Sequence, residues 1–197
     1  MNEHVLALLQ ARSGHFLYES GHHGESWLDL ETLCARPAEL RPVVSELASR
    51  LASYKPEVIC GPLVEGAFVG LLVAAELGCA FTYANRFAPE TSGGLFPVTY
   101  NLPAPLRPLV KDKRVAIVND VISAGSAVRG TFFDLQSSGA RVVAVGSLAV
   151  LGESFRAFAD EHGLPLEALA TMPHRLWKPA ECPLCAAGMT LEKLAIA

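Results

Sequence analysis

Apolar and polar positions along this chain alternate between two spacings. From Leu40, apolar residues recur at Val43, Val44, Leu47 and Leu51, which predicts a helix with Pro37 or Pro42 in its first turn. "EVICGP" (57–62), "AFTYANR" (80–86), "RVAIVND" (114–120) and "RVVAVGSLAVL" (141–151) are mostly apolar runs and predict buried strands, with "LEALATM" (166–172) as a last strand. Between them, Gly66 to Leu77 is apolar on every side and predicts a buried helix stopped at Gly78. Ala124, Val128, Phe132 and Leu135 mark one face of a helix ending at Gly139, and residues 153–162 predict another. Ahead of these, residues 3–12 predict a short helix, and "HFLYESGHHGESWLDL" (15–30) two short strands around a glycine-rich turn. Residues 88–112 hold many prolines and glycines and predict a long loop with a short strand at "PVTY". Strands alternating with helices imply an α/β fold: a mainly parallel central sheet with helices on both faces, binding ligands at the carboxyl ends of its strands.

Composition narrows the function classes. The chain has 197 residues, 51% of them hydrophobic, and a net charge of −4, so it carries no basic footprint for nucleic acid. Its most apolar run, Gly66 to Ala75, is too short to span a bilayer, and "MNEHVLALLQAR" lacks a basic leader region. Five cysteines, an odd and mostly scattered set, fit a reduced, cytoplasmic setting.

"RVAIVNDVISAGSAVRG" (114–130) carries the clearest chemistry. Its strand delivers Asn119 and Asp120 to the carboxyl edge of the sheet, and the turn from Ser123 to Ser126 opens a helix. Small residues let the backbone approach a ligand, and amide groups at a helix start favour an anion. A carboxylate beside them can accept hydrogen bonds from sugar hydroxyls, so the parts suit a sugar phosphate. Spacing alone leaves a second reading open: a strand–turn–helix corner capped by Ser123 or Ser126. The turn matches neither the dinucleotide nor the P-loop fingerprint.

"VAIVNDVISAGSA" resembles the thirteen-residue phosphoribosyl-pyrophosphate motif of the type I phosphoribosyltransferases, and the wider chain resembles their orotate branch. "FLYESGHHGESWLDL" is similar to the branch's N-terminal hood, "ICGPLVEGAFVGLLVAAELG" to its pyrophosphate loop and following helix, and "YANR" to the strand supplying an arginine. The resemblance implies a phosphoribosyltransferase domain over residues 1–172, with a hood at about 1–35, followed by a tail at 173–197. It implies transfer of a 5-phosphoribosyl group to a nitrogen base with release of pyrophosphate, in nucleotide metabolism. Asp120, with Asn119, would hold the ribose. Ser123, Ala124, Gly125, Ser126 and Ala127 would wrap the 5′-phosphate. Leu63, Val64, Glu65 and Gly66 would form the pyrophosphate loop, and Arg86 would contact the diphosphate. Magnesium bound by the sugar diphosphate, a homodimer, and closure of the 88–110 loop over the site are implied as well. Small-molecule substrates are the expected partners, with no nucleic acid and no membrane.

Several positions depart from that pattern. Asn119 stands where the family has a first acid, Glu65 near a lysine, and Phe87 where a second basic residue follows the arginine. The 88–110 loop offers Arg107 alone, and "SLAVLGES" lacks the arginine that grips the carboxylate of orotate. All these losses are of charge, which points to an acceptor other than orotate. They also fit a rival reading, a catalytically weakened protein that senses the sugar diphosphate or a nucleotide. His22 and His23 suit a base-orienting pair or a solvated turn, Trp27 and Phe16 a stacking platform or core, and Asp29 a site carboxylate or a strand-end cap. Cys182 and Cys185 in "ECPLCAAG" have the spacing of half a zinc site. His174, Cys34, Cys60, Cys79 or a partner subunit could complete it. The flanking prolines equally suit a tight tail, and a redox pair is disfavoured because no helix start is expected there.

Overall fold

Five of the apolar runs become neighbouring strands of one sheet. The structure, a computed structural model, describes residues 3–18, 21–30, 32–87 and 99–193. Strands β3 (Val58–Pro62), β4 (Ala80–Phe87), β5 (Thr99–Asn101), β6 (Arg114–Ile122), β7 (Arg141–Leu151) and β8 (Leu166–Met172) form a six-stranded sheet in the order β5-β4-β3-β6-β7-β8. All its pairings are parallel except β4 with β5. Consecutive strand residues face opposite layers. Ile59, Ala116 and Val118 pack beneath α1 (Glu3–Leu8), α2 (Pro37–Ala52) and α3 (Glu65–Leu77). Val58, Cys60, Val115 and Ile117 pack beneath α5 (Ser126–Ser137) and α6 (Ser154–Glu161). The α/β expectation with helices on both faces therefore holds, and the central strands are apolar throughout because both faces are covered.

Of the two prolines offered for the first turn of α2, Pro37 occupies it and Pro42 lies inside the helix. Three expectations are corrected. The α3 helix, apolar on every side, is not wholly buried. Gly66, Val69, Gly70 and Val73 meet the body, while Val64 before the helix and Phe68 and Leu71 on it are exposed. "LEALATM" is not the last strand. β9 (Leu176–Trp177) and β10 (Glu192–Lys193) follow and join β1 (Arg12–Leu17) and β2 (His23–Trp27) in a second, four-stranded sheet of order β10-β1-β2-β9. His23 sits in β2 and is buried, so it belongs neither to a solvated turn nor to a base-binding surface.

The first part of the expected 88–110 loop, residues 88–98, lies outside the described residues, and with it any closure over the site. The remainder is anchored: Arg107, on the short helix α4 (Arg107–Val110), pairs with Asp134 at 2.7 Å and donates to Ser138 at 2.7 Å. No helix among the described residues is long and apolar enough to cross a membrane.

Candidate active site

The carboxyl ends of β6 and β7 and the hood sheet face each other across a cavity of about 1030 Å3. One wall is the β6–α5 corner, Asn119 and Val121 to Ala127; the other is Ser26 to Leu30 with His174 and Leu176. All five residues of the expected phosphate loop thus line one space. Neither Ser123 nor Ser126 caps α5, which corrects the corner reading. The cap position is Gly125, at φ +78°, and no side chain accepts from the first turn. A Cβ on Gly125 would lie 2.1 Å from the Phe155 ring, so glycine is required by both backbone and packing. Arg129, not singled out from the sequence, fixes the loop from behind. Its Nε donates to the Ala124 carbonyl at 3.0 Å, and its guanidinium lies 4.5 Å from the centre of the Phe158 ring.

A second cavity, about 500 Å3, lies at the ends of β3 and β4 and is lined by Leu63, Val64, Glu65, Arg86, Phe87 and Tyr100. Arg86 pairs with no carboxylate among the described residues and sits on β4 opposite Tyr100. Glu65, which stands near the place of a lysine in the family pattern, faces the same cavity as Arg86 at the start of α3. The Leu63–Val64 peptide is cis.

Between the two cavities lie Asn119 and Asp120. Asn119 lines the larger cavity and donates from Nδ2 to the Val121 carbonyl at 2.8 Å. A Cβ on Gly66 would fall 2.1 Å from Asn119 Oδ1, so α3 approaches β6 this closely only because that position is glycine. Asp120 is 6% exposed and lines neither cavity. Burial, with the neighbouring Glu65 charge adding to it, pushes its carboxyl up to about 6. Burial likewise, with Asp120 and Glu65 nearby, pushes the Cys34 thiol up to about 11.

The remaining candidates divide. Trp27 lines the cavity, stacked at 6.0 Å on Tyr18, whereas Phe16 is core. Asp29 lines the cavity and also accepts from the Thr32 amide at 3.2 Å, so its carboxylate both faces the cavity and closes the turn after β2. His174 stands 3.2 Å from the Ser26 hydroxyl, and burial pushes its pKa down. None of His174, Cys34, Cys60 and Cys79 meets Cys182 and Cys185; the residues that do are His15 and His23. Cys182 is also the cap of a helical turn, α7 (Pro183–Ala186), contrary to the expectation that no helix begins there.

Known proteins bear on this geometry. The family model described as phosphoribosyl transferase domain matches residues 30–154, a span containing both cavities' strand ends. The orotate phosphoribosyltransferase of Thermotoga maritima is 30% identical over 181 residues, covering 91% of this chain and 89% of the relative. That of Caldanaerobacter subterraneus is 26% identical over 180 residues, covering 91% and 87%. Among solved structures, the orotate phosphoribosyltransferase from Aeropyrum pernix superposes with a TM-score of 0.67 at 20% identity, covering 87% of this chain and 94% of that one. The adenine phosphoribosyltransferase from Thermoanaerobacter pseudethanolicus gives the same TM-score at 17% identity, covering 87% and 100%. These last two carry the fold; the family match and the full-length relatives carry the kinship, and the chain belongs to the phosphoribosyltransferase family.

Proposed function

We propose that this chain transfers a 5-phosphoribosyl group from phosphoribosyl pyrophosphate to an uncharged nitrogen base. The carrying observation is that the uncapped start of α5 and the hood wall share one cavity, so the phosphate end and the base end of a nucleotide have facing surfaces. In this reading the amides of residues 123–127 hold the 5′-phosphate, the helix start supplying partial positive charge. Asn119 and Asp120 take the ribose hydroxyls. Asp120 has little solvent to lose, and hydroxyl donors favour its ionised form. Leu63 to Gly66 and Arg86 hold the diphosphate. The C1′–oxygen bond breaks with its electron pair leaving on pyrophosphate, while the base nitrogen supplies the pair for the new C1′–nitrogen bond and the base gives up its N–H proton to the released pyrophosphate. The negative charge of Asp120 favours the cation-like ribose between those events.

Glu65, a hard oxygen donor lining the diphosphate cavity, fits magnesium carried in by the sugar diphosphate, and the Asp120 carboxylate lies near enough to Glu65 for their charges to interact. The ion would neutralise charge on the leaving group. It would also turn the Glu65 carboxylate from a repulsive neighbour into an attractive one.

The acceptor follows from the hood side. Trp27, Leu28, Leu30, Leu151 and Leu176 make that part of the wall largely apolar, and Asp29 adds a negative charge. Among the described residues its one cation, Arg12, is already 3.7 Å from Glu192 and lies over the Phe16 ring. A base bearing its own carboxylate would meet no free cation there among the described residues. Pyrophosphate release measured with phosphoribosyl pyrophosphate, magnesium and a panel of bases tests both parts. A neutral pyrimidine or purine is expected to turn over faster than orotate. Efficient orotate turnover overturns the acceptor assignment, and silence with every base overturns the transferase reading. No observation favours the sensing alternative.

The exposed Val64, Phe68 and Leu71 recur at helical spacing beside the diphosphate cavity and supply an apolar face for a homodimer. Sedimentation of the wild type at twice the monomer mass, and of Phe68→Glu at the monomer mass, is the expected result. A wild-type monomer removes the dimer.

A further inference from the structure

We infer that His15, His23, Cys182 and Cys185 form a closed structural zinc site that rivets the C-terminal segment to the hood sheet. All four lie outside the residues matched by the family model, so that match supplies no account of them.

The argument begins with strand geometry. β1 and β2 are antiparallel, with Phe16 opposite Gly24 and Leu17 opposite His23. The register slips between Ser13 and Phe16, so Gly14 and His15 together oppose Glu25. Such a bulge re-aims a side chain, and here it brings His15 to the same face as His23. The rings meet edge-on, with centroids 5.0 Å apart. The tail then crosses that face. It pairs with β2 through β9 at one edge and with β1 through β10 at the other. The turn carrying Cys182 and Cys185 lies between the two.

The result is a set of lone pairs converging on one point. His15 Nε2 is 3.1 Å from His23 Nδ1, 3.4 Å from Cys182 Sγ and 3.8 Å from Cys185 Sγ, and Cys185 Sγ is 3.3 Å from His23 Nδ1. All four ligand atoms fall within 4.8 Å of one another, the only such group found among the described residues. Zinc bond lengths set the edges of a tetrahedron at about 3.4 Å between two nitrogens and about 3.6 Å between nitrogen and sulfur. These four separations match those edges to within a few tenths of an ångström.

The surroundings agree. His15, His23 and Cys182 are 1%, 5% and 4% exposed. His15 Nδ1 lies 2.9 Å from the Met189 carbonyl, which can only accept, so the proton sits on Nδ1 and Nε2 presents a lone pair inward. This outer hydrogen bond is the kind that orients a metal-bound imidazole. It comes from the same tail segment that supplies the cysteines. Two nitrogens and two sulfurs in a tetrahedron select zinc among common divalent ions, and four protein ligands leave no position for a reacting water. The role is therefore structural.

The test uses the full chain, expressed without a polyhistidine tag in zinc-supplemented medium. Elemental analysis is expected to give about one zinc per chain. Replacing zinc with cobalt is expected to give the intense visible bands and thiolate charge transfer of a tetrahedral site. Because Cys182→Ser or His15→Ala could simply misfold, the cobalt spectrum of the wild type is the deciding measurement, and His174→Ala is the control that retains the metal. Zinc well below one per chain together with no cobalt thiolate band overturns the assignment. So does a Cys182–Cys185 disulfide in the freshly purified protein, or a folded Cys182→Ser, Cys185→Ser double variant that keeps its zinc.

Discussion

Gly125→Ala is expected to cost the protein both stability and its grip on ribose 5-phosphate. The residue sits at φ +78°, where a side chain costs roughly 1–2 kcal/mol. The added methyl would also meet the Phe155 ring at 2.1 Å. Phe155 is fully buried among Phe158 and the α5 residues Val128 and Phe132, so it cannot step aside freely. Overpacking of this kind adds roughly 1–3 kcal/mol. The sum predicts a melting temperature lower by roughly 6–15 °C for a chain of this size. The corner must also open, which turns the first amides of α5 away from a common point. Loss of one or two charge-assisted hydrogen bonds then lowers phosphate affinity on the order of a hundredfold. Thermal melting and calorimetric titration with ribose 5-phosphate read the two effects separately. Unchanged values in both would mean that the corner is neither strained nor the phosphate site. Ser126→Ala is the comparison: its side chain caps nothing, so stability should move by less than about 0.5 kcal/mol.

Asp120→Asn is expected to stabilise the protein at alkaline pH while weakening its hold on the sugar. Burial keeps the carboxyl at about 6 in the folded chain, against its ordinary 3.8. The folded state therefore holds the proton more tightly than the unfolded one. The stability linked to that proton is whole below about pH 4 and is lost as the pH rises through 6. By pH 8 the ionised, desolvated carboxylate costs on the order of 2–3 kcal/mol, which an amide avoids. Urea unfolding at pH 4, 6 and 8 should show the variant gaining on the wild type across that interval, with no further gain above it. A difference that stays flat with pH removes the perturbed carboxyl. Binding should run the other way. Wild-type affinity for ribose 5-phosphate should rise through pH 6 more steeply than that of Asp120→Asn, the difference cancelling the phosphate's own titration.

The parts of this molecule that the sequence makes legible are those built from neighbours in the chain. The strand at 114–122 and the turn after it are local, and a glycine in a run of small residues marks the corner. Arg86 and the 63–66 loop are placed in the same way, each at the end of one strand. What escapes is set by contacts that no local spacing encodes. His15 meets Cys182 across 167 residues, through a bulge and a crossing tail, so neither histidine announces a partner. A pattern of two histidines on a hairpin plus a distant C-x-x-C was the available signal, weak because nothing in the chain specifies that hairpin and tail are adjacent. The exposed side of α3 escapes for a different reason: apolar residues destined for a sheet and for another surface look alike in a sequence. Asp120 reads as a ligand group, but its burial depends on how α3 and the β6 end pack around it.

The hood has one more consequence, for the order in which the chain acquires its shape. β1 and β2 leave the ribosome before any strand of the six-stranded sheet, yet their outer partners β9 and β10 follow all of it. The side chains of Ser26 and His174, which touch across this junction, are 148 residues apart in sequence. At roughly 5–20 residues per second, the hairpin waits about 7–30 s with both edges bare. During synthesis it is thus the segment most open to pairing with a foreign strand, and its last neighbours arrive only when the rest of the domain is already made.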